Sequence, residues 1–333
     1  MLSRRAAPAK AAAVVKADAY GLGAEPVVKA LAKAGCRRFY VAWAKEGAEI
    51  RSVLGPEPSI AVFHGPSADA LPVFRDASLE PVLNTPEQIG LWIFAGAAPA
   101  SIHVDTGMNR LGLAETDWRA AATAWPAPST LVSHLACADE PGAHPKNPSQ
   151  LEAFNRAATF WPNAPRSFAA TAGVYLGPAY ALDEVRPGIG LYGGGPTPAE
   201  GPAPLPVVTL TAPILQIREI GPGETIGYGA TFTAQARHTL ATVGIGYADG
   251  FLRAASNKGY GVVRGARRPV LGRVSMDLTV LDVTGLGAHV GDEVEFMGPN
   301  LPIADQAEAM STIDYELLTR LGRRFPRSWV GGA

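Results

Sequence analysis

The 333-residue chain sets 29 basic against 30 acidic side chains, a formal charge of −1, which excludes the electrostatic footprint of a nucleic-acid or anionic-membrane binder. Hydrophobic residues at 47% and charged residues at 18% are a globular balance, and the length passes the ~250–300 residues at which single cores stop growing, so two domains are expected. Two isolated cysteines, Cys36 and Cys137, give neither a disulfide framework nor a zinc knuckle and fit a reducing cytoplasm.

From the N-terminus, residues 11–15 form the first apolar run, bracketed by Lys10 and Lys16. It is shorter than the ~7–15 residues of an export signal, and no run approaches the ~20 of a membrane span. Strand-like runs recur at 12–16, 38–42, 59–63, 79–83, 101–105, 130–135, 167–170 and 183–187, with helical spacing at 25–34, 44–53, 86–94, 117–124 and 149–160. This alternation predicts a parallel α/β fold, and eight such units fit a (β/α)8 TIM-type barrel better than an open doubly wound sheet. After Gly201-Pro202-Ala203-Pro204 the texture changes. Runs at 207–220, 239–245, 261–264, 269–283 and 292–297 predict a predominantly β region, with a last helix at 312–321. The expected division is a barrel over 1–204 and a mainly β C-terminal domain over 205–333.

Barrels of this kind carry their chemistry at the C-terminal ends of the strands. Reading only those ends gives Lys16, Arg110, His134, Thr171 and Arg186. Cationic and polar groups converging on one rim form a site for an anionic cofactor. The loops after strands seven and eight, a habitual phosphate position, offer the Thr171 hydroxyl and the amides of Gly188 and Ile189. Lys16 ends an Ala-Val-Val-Lys run, where desolvation lowers an amine's pKa and frees it to form a Schiff base. Gly188 to Gly193 formally fits G-x-G-x-x-G, but it follows Arg-Pro late in the region and opens no βαβ unit, so nicotinamide binding is set aside. The histidines show no ligand spacing, and no metal is expected.

Several ordered segments resemble the alanine racemase family. They are VVKADAYGLG (14–23), DTGMNRLG (105–112), SHLACAD (133–139) and RPGIGLYG (186–193), then GYGAT (227–231), GYADG (246–250), GRVSMD (272–277) and Tyr315-Glu316. The resemblance runs in order from residue 12 to about 327 and implies a homodimeric enzyme using pyridoxal 5'-phosphate (PLP) to racemise alanine. It makes Lys16 both the aldimine lysine and one catalytic base, and Tyr228, from the other subunit, the opposite base. Tyr20, Thr171, Gly188, Ile189 and Tyr315 would hold the phosphate. Arg186 would face the pyridine nitrogen, with His134 between Arg186 and Tyr228. Arg110 and the Met276 amide would orient the cofactor oxygen and substrate carboxylate, with Asp277 beside them in the substrate site.

The chemistry is coherent with those roles. Racemisation removes a proton from one face of Cα and returns it on the other, so two bases must flank one plane. A tyrosine ionises near pH ~10 and needs nearby positive charge to act at neutrality, which Arg186 acting through His134 supplies. An arginine at the ring nitrogen leaves the pyridine neutral and a weaker electron sink, suited to brief proton exchange. Tyr315 and Met276 would cramp the pocket and favour a small side chain.

Three positions depart from the family. His103 stands where a lysine, often carbamylated, is usual. Ala170-Thr171 replaces Asn-Ser, and Ser275 replaces a common cysteine. The family also places a further strand and helix ahead of the lysine motif, so such a segment is expected upstream of Met1. Competing readings are a broader amino-acid (serine) racemase, a PLP-dependent decarboxylase on the same scaffold, and a non-enzymatic PLP carrier. The decarboxylase would want an acidic residue where Arg186 stands, and carriers resemble the barrel alone.

Overall fold

Short β-branched and aromatic runs in the first half of the chain lie side by side as parallel staves. The computed structural model describes residues 1–96, 98–140, 144–196 and 203–331; Gly201 and Pro202 of the expected punctuation lie outside them. The chain divides into two units, one built on Met1–Leu191 with Gly195–Ala203, the other on Pro204–Gly331 with Tyr192–Gly194. No helix among the described residues is long and apolar enough to cross a membrane.

The first unit contains β1 (Lys10–Ala11), β2 (Ala13–Val14), β3 (Arg38–Val41), β4 (Ser59–Val62), β5 (Glu80–Leu83), β6 (Ser101–His103), β7 (Leu131–Val132), β8 (Arg166–Ala170) and β9 (Glu184–Arg186). Their order is β1-β9-β8-β7-β6-β5-β4-β3-β2. β1 and β2 are two halves of one stave: β1 pairs in parallel with β9 and β2 with β3. Backbone bonds from Ala12 to Val185 and from Val15 to Tyr40, both 2.9 Å, carry the closure. Nine ladder segments therefore make the eight expected staves of a parallel barrel.

Period-two alternation sorts the side chains. Phe39 and Val41 of β3 pack with Val28, Ile50, Phe74 and Trp92 in the layer beneath the helices. Their neighbours Arg38 and Tyr40 instead reach across the interior to Glu80 and Glu184. Each buried Phe, Ile or Leu contributes about 1.5–3 kcal/mol, so the helix-facing layer supplies the stability that the polar interior does not.

Helices Ala24–Lys33, Ala44–Leu54, Pro86–Phe94 and Trp118–Ala124 fall close to their expected spans. Lys146–Ala158 starts three residues before the expected 149, because Pro148 sits in the first turn, where a missing N–H removes no helical bond. Short helices at Leu71–Asp76, Thr171–Tyr175 and Pro178–Ala181 are too brief for periodicity to reveal. The expected strand 130–135 pairs only at Leu131–Val132; beyond it the chain leaves the ladder to carry His134.

The second unit has a six-stranded antiparallel sheet of β10 (Leu210–Ile220), β13 (His238–Val243), β14 (Tyr260–Val263), β15 (Ala266–Pro269), β16 (Thr279–Asp282) and β17 (Glu293–Met297), ordered β15-β14-β17-β10-β13-β16. A separate hairpin joins β11 (Thr225–Ile226) to β12 (Phe232–Thr233). The expected run 269–283 is two strand segments with the GRVSMD loop between them. Its core gathers Ile214, Val243, Leu281, Val294 and Phe296. The last helix is Asp314–Thr319, and Ile303–Ala309 is a helix that the sequence reading left out.

Candidate active site

Lys16 follows directly on the closing stave, and the chain then makes a turn of opposite hand. Ala17, Asp18, Ala19 and Tyr20 all have φ between 53° and 57°, a left-handed path disfavoured by roughly 1–2 kcal/mol per residue. Hydrogen bonds hold it. Gly21 donates to Ala17 at 2.7 Å and Gly23 to Asp18 at 2.9 Å, while the Asp18 carboxylate accepts from Ala24 at 2.7 Å and caps the next helix. Glu46 clamps the other side, accepting from Ala17 at 2.7 Å, Ala42 at 2.8 Å and Trp43 at 3.1 Å. Burial pushes the Lys16 amine below its ordinary range, the charge of Arg110 adds to that, and Glu46 opposes it.

The arginine loop is a closed excursion from β6. Leu113 donates to His103 at 2.8 Å and Asp105 to Leu113 at 2.9 Å, pinching the neck. Inside it, the Asp105 carboxylate accepts from the amides of Gly107, Met108 and Asn109 at 2.8–2.9 Å. Gly112, at φ +114°, lies so close to the Asp105 and Val104 backbone that any Cβ would clash. The loop is fixed; the Arg110 side chain at its tip is exposed.

His103 is bound by its ring rather than free to rotate. Asn84 Nδ2 donates to the carbonyls of Phe63 at 3.0 Å and Val82 at 2.8 Å, which leaves Asn84 Oδ1 as the acceptor. His103 Nδ1, 2.8 Å away, must therefore carry the proton, and Nε2 keeps a lone pair. Burial and the charge of Arg186 push this imidazole down to about 3.

His134 is likewise pushed down to about 3, by burial first and then by Arg186, Arg110, His103 and Lys16. The charges of Lys16, Arg110 and Arg186 thus all reach the His134 ring, as expected of groups gathered at one barrel mouth. Arg186 is 3% exposed and donates to Ser167 Oγ and the Ser133 carbonyl at 2.5 Å each, and to the Phe168 carbonyl at 3.5 Å. Burial pushes its guanidinium below the ordinary arginine range. Its hydrogen bonds thus pass His134 by, and the two interact through space.

Between β8 and β9, the Thr171 hydroxyl accepts from the amides of Gly188 at 3.0 Å and Gly190 at 3.2 Å. A Cβ at Gly188 would collide with the Tyr20 hydroxyl, so glycine alone lets that hydroxyl lie against bare backbone. Tyr20, Thr171, Gly188 and Ile189 are all buried there.

Four expected site residues belong to the second unit. Tyr228 is 72% exposed in a short turn, where Gly227 and Gly229 take φ of +67° and +73° and a Cβ at Gly229 would lie 2.7 Å from the Arg273 guanidinium. Met276 is exposed, and its loop is tied by amides from Tyr247 to Ser275 and Ala248 to Met276, each 3.0 Å. Asp277 is ion-paired to Arg324 at 2.7 Å, and Arg324 also lies 3.3 Å from Asp249. Tyr315 sits in the first turn of Asp314–Thr319.

Sequence reasoning missed the residues that position these groups. Glu46 stands three residues after Trp43, the N3 spacing of a helix start, and Asp105 precedes a Gly-containing turn; both signals were available. Gln150, which donates to the His134 carbonyl at 3.0 Å and accepts from Ala136 at 2.9 Å, comes from a distant helix and leaves no local signature.

Comparison with known proteins gives one answer over both units. A family model described as alanine racemase, N-terminal domain, matches residues 1–196, and one described as alanine racemase, C-terminal domain, matches residues 207–329. The alanine racemase of Rhodospirillum rubrum is 46% identical, covering 97% of this chain and 90% of its own length. That of Jannaschia sp. is 48% identical over 97% and 93%. A crystal structure of alanine racemase from Bartonella henselae with covalently bound pyridoxal phosphate superposes with a TM-score of 0.92 at 37% identity, covering 99% of this chain and 95% of that one.

Proposed function

Because the chain belongs to the alanine racemase family, we propose that it interconverts L- and D-alanine with PLP held on Lys16. In this reading residues 1–204 form the cofactor-binding barrel, and the domain at 205–333 supplies the opposing base. The supporting observation is the barrel mouth, where a half-buried lysine with a depressed pKa shares one rim with Arg186, His134 and the Thr171–Gly188 cradle.

The donor set fits PLP. The phosphate would be held by Tyr20, Thr171, Gly188 and Ile189, around the bare backbone at Gly188, with Tyr315 added by the second domain. When bound, PLP supplies a carbonyl that captures the substrate amine and a conjugated ring that takes up the electron pair left at Cα. Lys16, pushed toward its neutral form by burial, holds or moves the Cα proton on one face, and the partner subunit's Tyr228 does so on the other. Arg186, its guanidinium fixed by Ser167 and Ser133, would face the ring nitrogen, and His134, held neutral, would lie between Arg186 and that phenol. Arg110 and the Met276 amide orient the substrate carboxylate, while Asp277, tied to Arg324, steadies the loop that carries Met276. The enzyme is then a cytoplasmic homodimer with shared sites, supplying D-alanine for peptidoglycan.

Incubation with L-alanine and PLP in heavy water tests the reading. Deuterium at Cα together with D-alanine is expected. Carbon dioxide release, or no turnover with PLP bound, would overturn it, and comparable turnover of serine would widen the substrate.

A further inference from the structure

Behind Arg186 the barrel interior holds ionisable groups that this reading leaves unused. β3 and β9 each turn two alternate residues inward: Arg38 and Tyr40 from one, Glu184 and Arg186 from the other. Arg38 donates to the two Glu80 oxygens at 2.7 and 3.0 Å and lies 3.3 Å from Glu184. The Tyr40 hydroxyl accepts from Arg38 at 3.2 Å and donates to Glu184 at 2.7 Å. Ser101 closes the set with a 2.6 Å bond to Glu80. Two carboxylates against one guanidinium leave this group with one negative charge in excess.

Arg186 has the opposite problem. It is buried, its hydrogen bonds go to one hydroxyl and two carbonyls, and no ion pair reaches it among the described residues. A buried cation without a counter-charge is strongly disfavoured. The groups facing it from the mouth do not help: His103 and His134 are held neutral, Arg110 shares its sign, Lys16 has no anionic form, and Asp105 is occupied by three amides. On the other side lies the Tyr40 ring, its centroid 6.0 Å from the guanidinium carbon, and that ring carries the hydroxyl bonded to Glu184. Burial holds the phenol above its ordinary range, so it remains the donor to the Glu184 carboxylate.

We propose that Glu184, acting through Tyr40, is the counter-charge of Arg186, and that the Glu184–Tyr40–Arg38–Glu80 set positions the arginine facing the cofactor. The proposal rests on the assignment of Arg186 to the ring nitrogen. These are positioning residues: none reaches the reacting atoms.

The test compares E184Q, E184D, Y40F and R186K proteins reconstituted with PLP. It follows cofactor absorbance against pH, together with kcat and KM for L-alanine. E184Q is expected to move the absorbance titration about one pH unit, in the same direction as R186K, and to lower kcat about tenfold with KM within about twofold. Y40F should move both less, and E184D should recover most of the loss. If E184Q fails to fold, Y40F carries the same readout, because it keeps the ring and removes only the hydroxyl. R186K moving the titration while E184Q (or Y40F in its place) leaves it at the parent position, even with a lowered melting temperature, overturns the counter-charge role and leaves Arg186 at the ring. If R186K does not move it, the assignment of Arg186 fails and this proposal fails with it.

Discussion

The barrel mouth and the turns of the second domain treat their polar groups in opposite ways. In the barrel, Arg186 is 3% exposed, His103 has a fixed tautomer, and the arginine loop is closed by its own backbone. In the second domain, Tyr228 is 72% exposed on a glycine-flanked turn, and Met276 stands in solvent. Burial that depresses two histidines and a lysine is absent around that phenol. The barrel groups are thus enclosed within one chain, whereas Tyr228 and Met276 are left open by theirs, which is what the proposed sharing of sites between subunits needs.

The largest effects test whether the halves are that distinct. Lys16→Met should lower racemisation by at least about 10³-fold, since one group both holds the cofactor and moves the proton. Borohydride reduction followed by peptide mapping should place the pyridoxyl group on Lys16 in the parent protein and nowhere in the variant. A label on another lysine would break the barrel half of the comparison outright.

Tyr228→Phe should lower racemisation about 10²–10³-fold while changing the stability of the folded subunit by less than about 0.5 kcal/mol, because its own chain leaves it 72% exposed. Mixing makes the sharper measurement. Subunits bearing only Lys16→Met or only Tyr228→Phe are each inactive, but a mixed dimer rebuilds one complete site from two intact halves. After subunit exchange, activity should return to about a quarter of the parent value. No recovery, with exchange verified by mass, would mean that each site is built within one chain.

Acid should unfold the barrel before it harms the sheet. His103 and His134, both pushed down to about 3 in the folded chain from an ordinary 6.5, refuse protons that the unfolded chain accepts. Their contribution is therefore fully present above pH 6.5 and lost as the pH falls toward 3, about 1.4 kcal/mol for each unit of depression. Melting temperature against pH should fall less steeply in His103→Asn. Hydrogen exchange at pH 4 should open barrel amides before those of β10 and β13. An equal slope in the variant would show that the ring's charge is not what acid attacks.

The same contrast explains what could be read from sequence. Lys16, Arg110, His134 and Arg186 were legible because barrel chemistry collects at strand ends, and a strand end is a local pattern. The Glu184–Tyr40 bond joins residues 144 positions apart, and no window of sequence contains it. The left-handed run at 17–20 was hidden for a different reason: Ala and Tyr disfavour positive φ and a single Asp does not signal a run of it, while Glu46, 29 positions from Ala17, holds the turn from outside. Strand lengths were overstated at Leu131–Val132 because apolar composition continues where pairing stops. In the second domain, the 270–278 loop reads as strand for the same reason.

Glu46→Gln gives the smallest effect and separates support from electrostatics at the lysine. One carboxylate accepts three backbone amides here, at 2.7, 2.8 and 3.1 Å, and a carboxamide offers a single acceptor oxygen. At least one amide loses its partner, which should lower stability by about 1–3 kcal/mol in urea unfolding. The negative charge also raises the Lys16 pKa against burial and Arg110. Removing it should leave the amine, once the substrate has freed it, neutral to lower pH and carry the acid limb of kcat downward by a fraction of a unit. Mere loosening of the left-handed turn would let water in and carry that limb upward. The direction of the shift therefore decides whether Glu46 acts on Lys16 through charge or only through the shape of the turn.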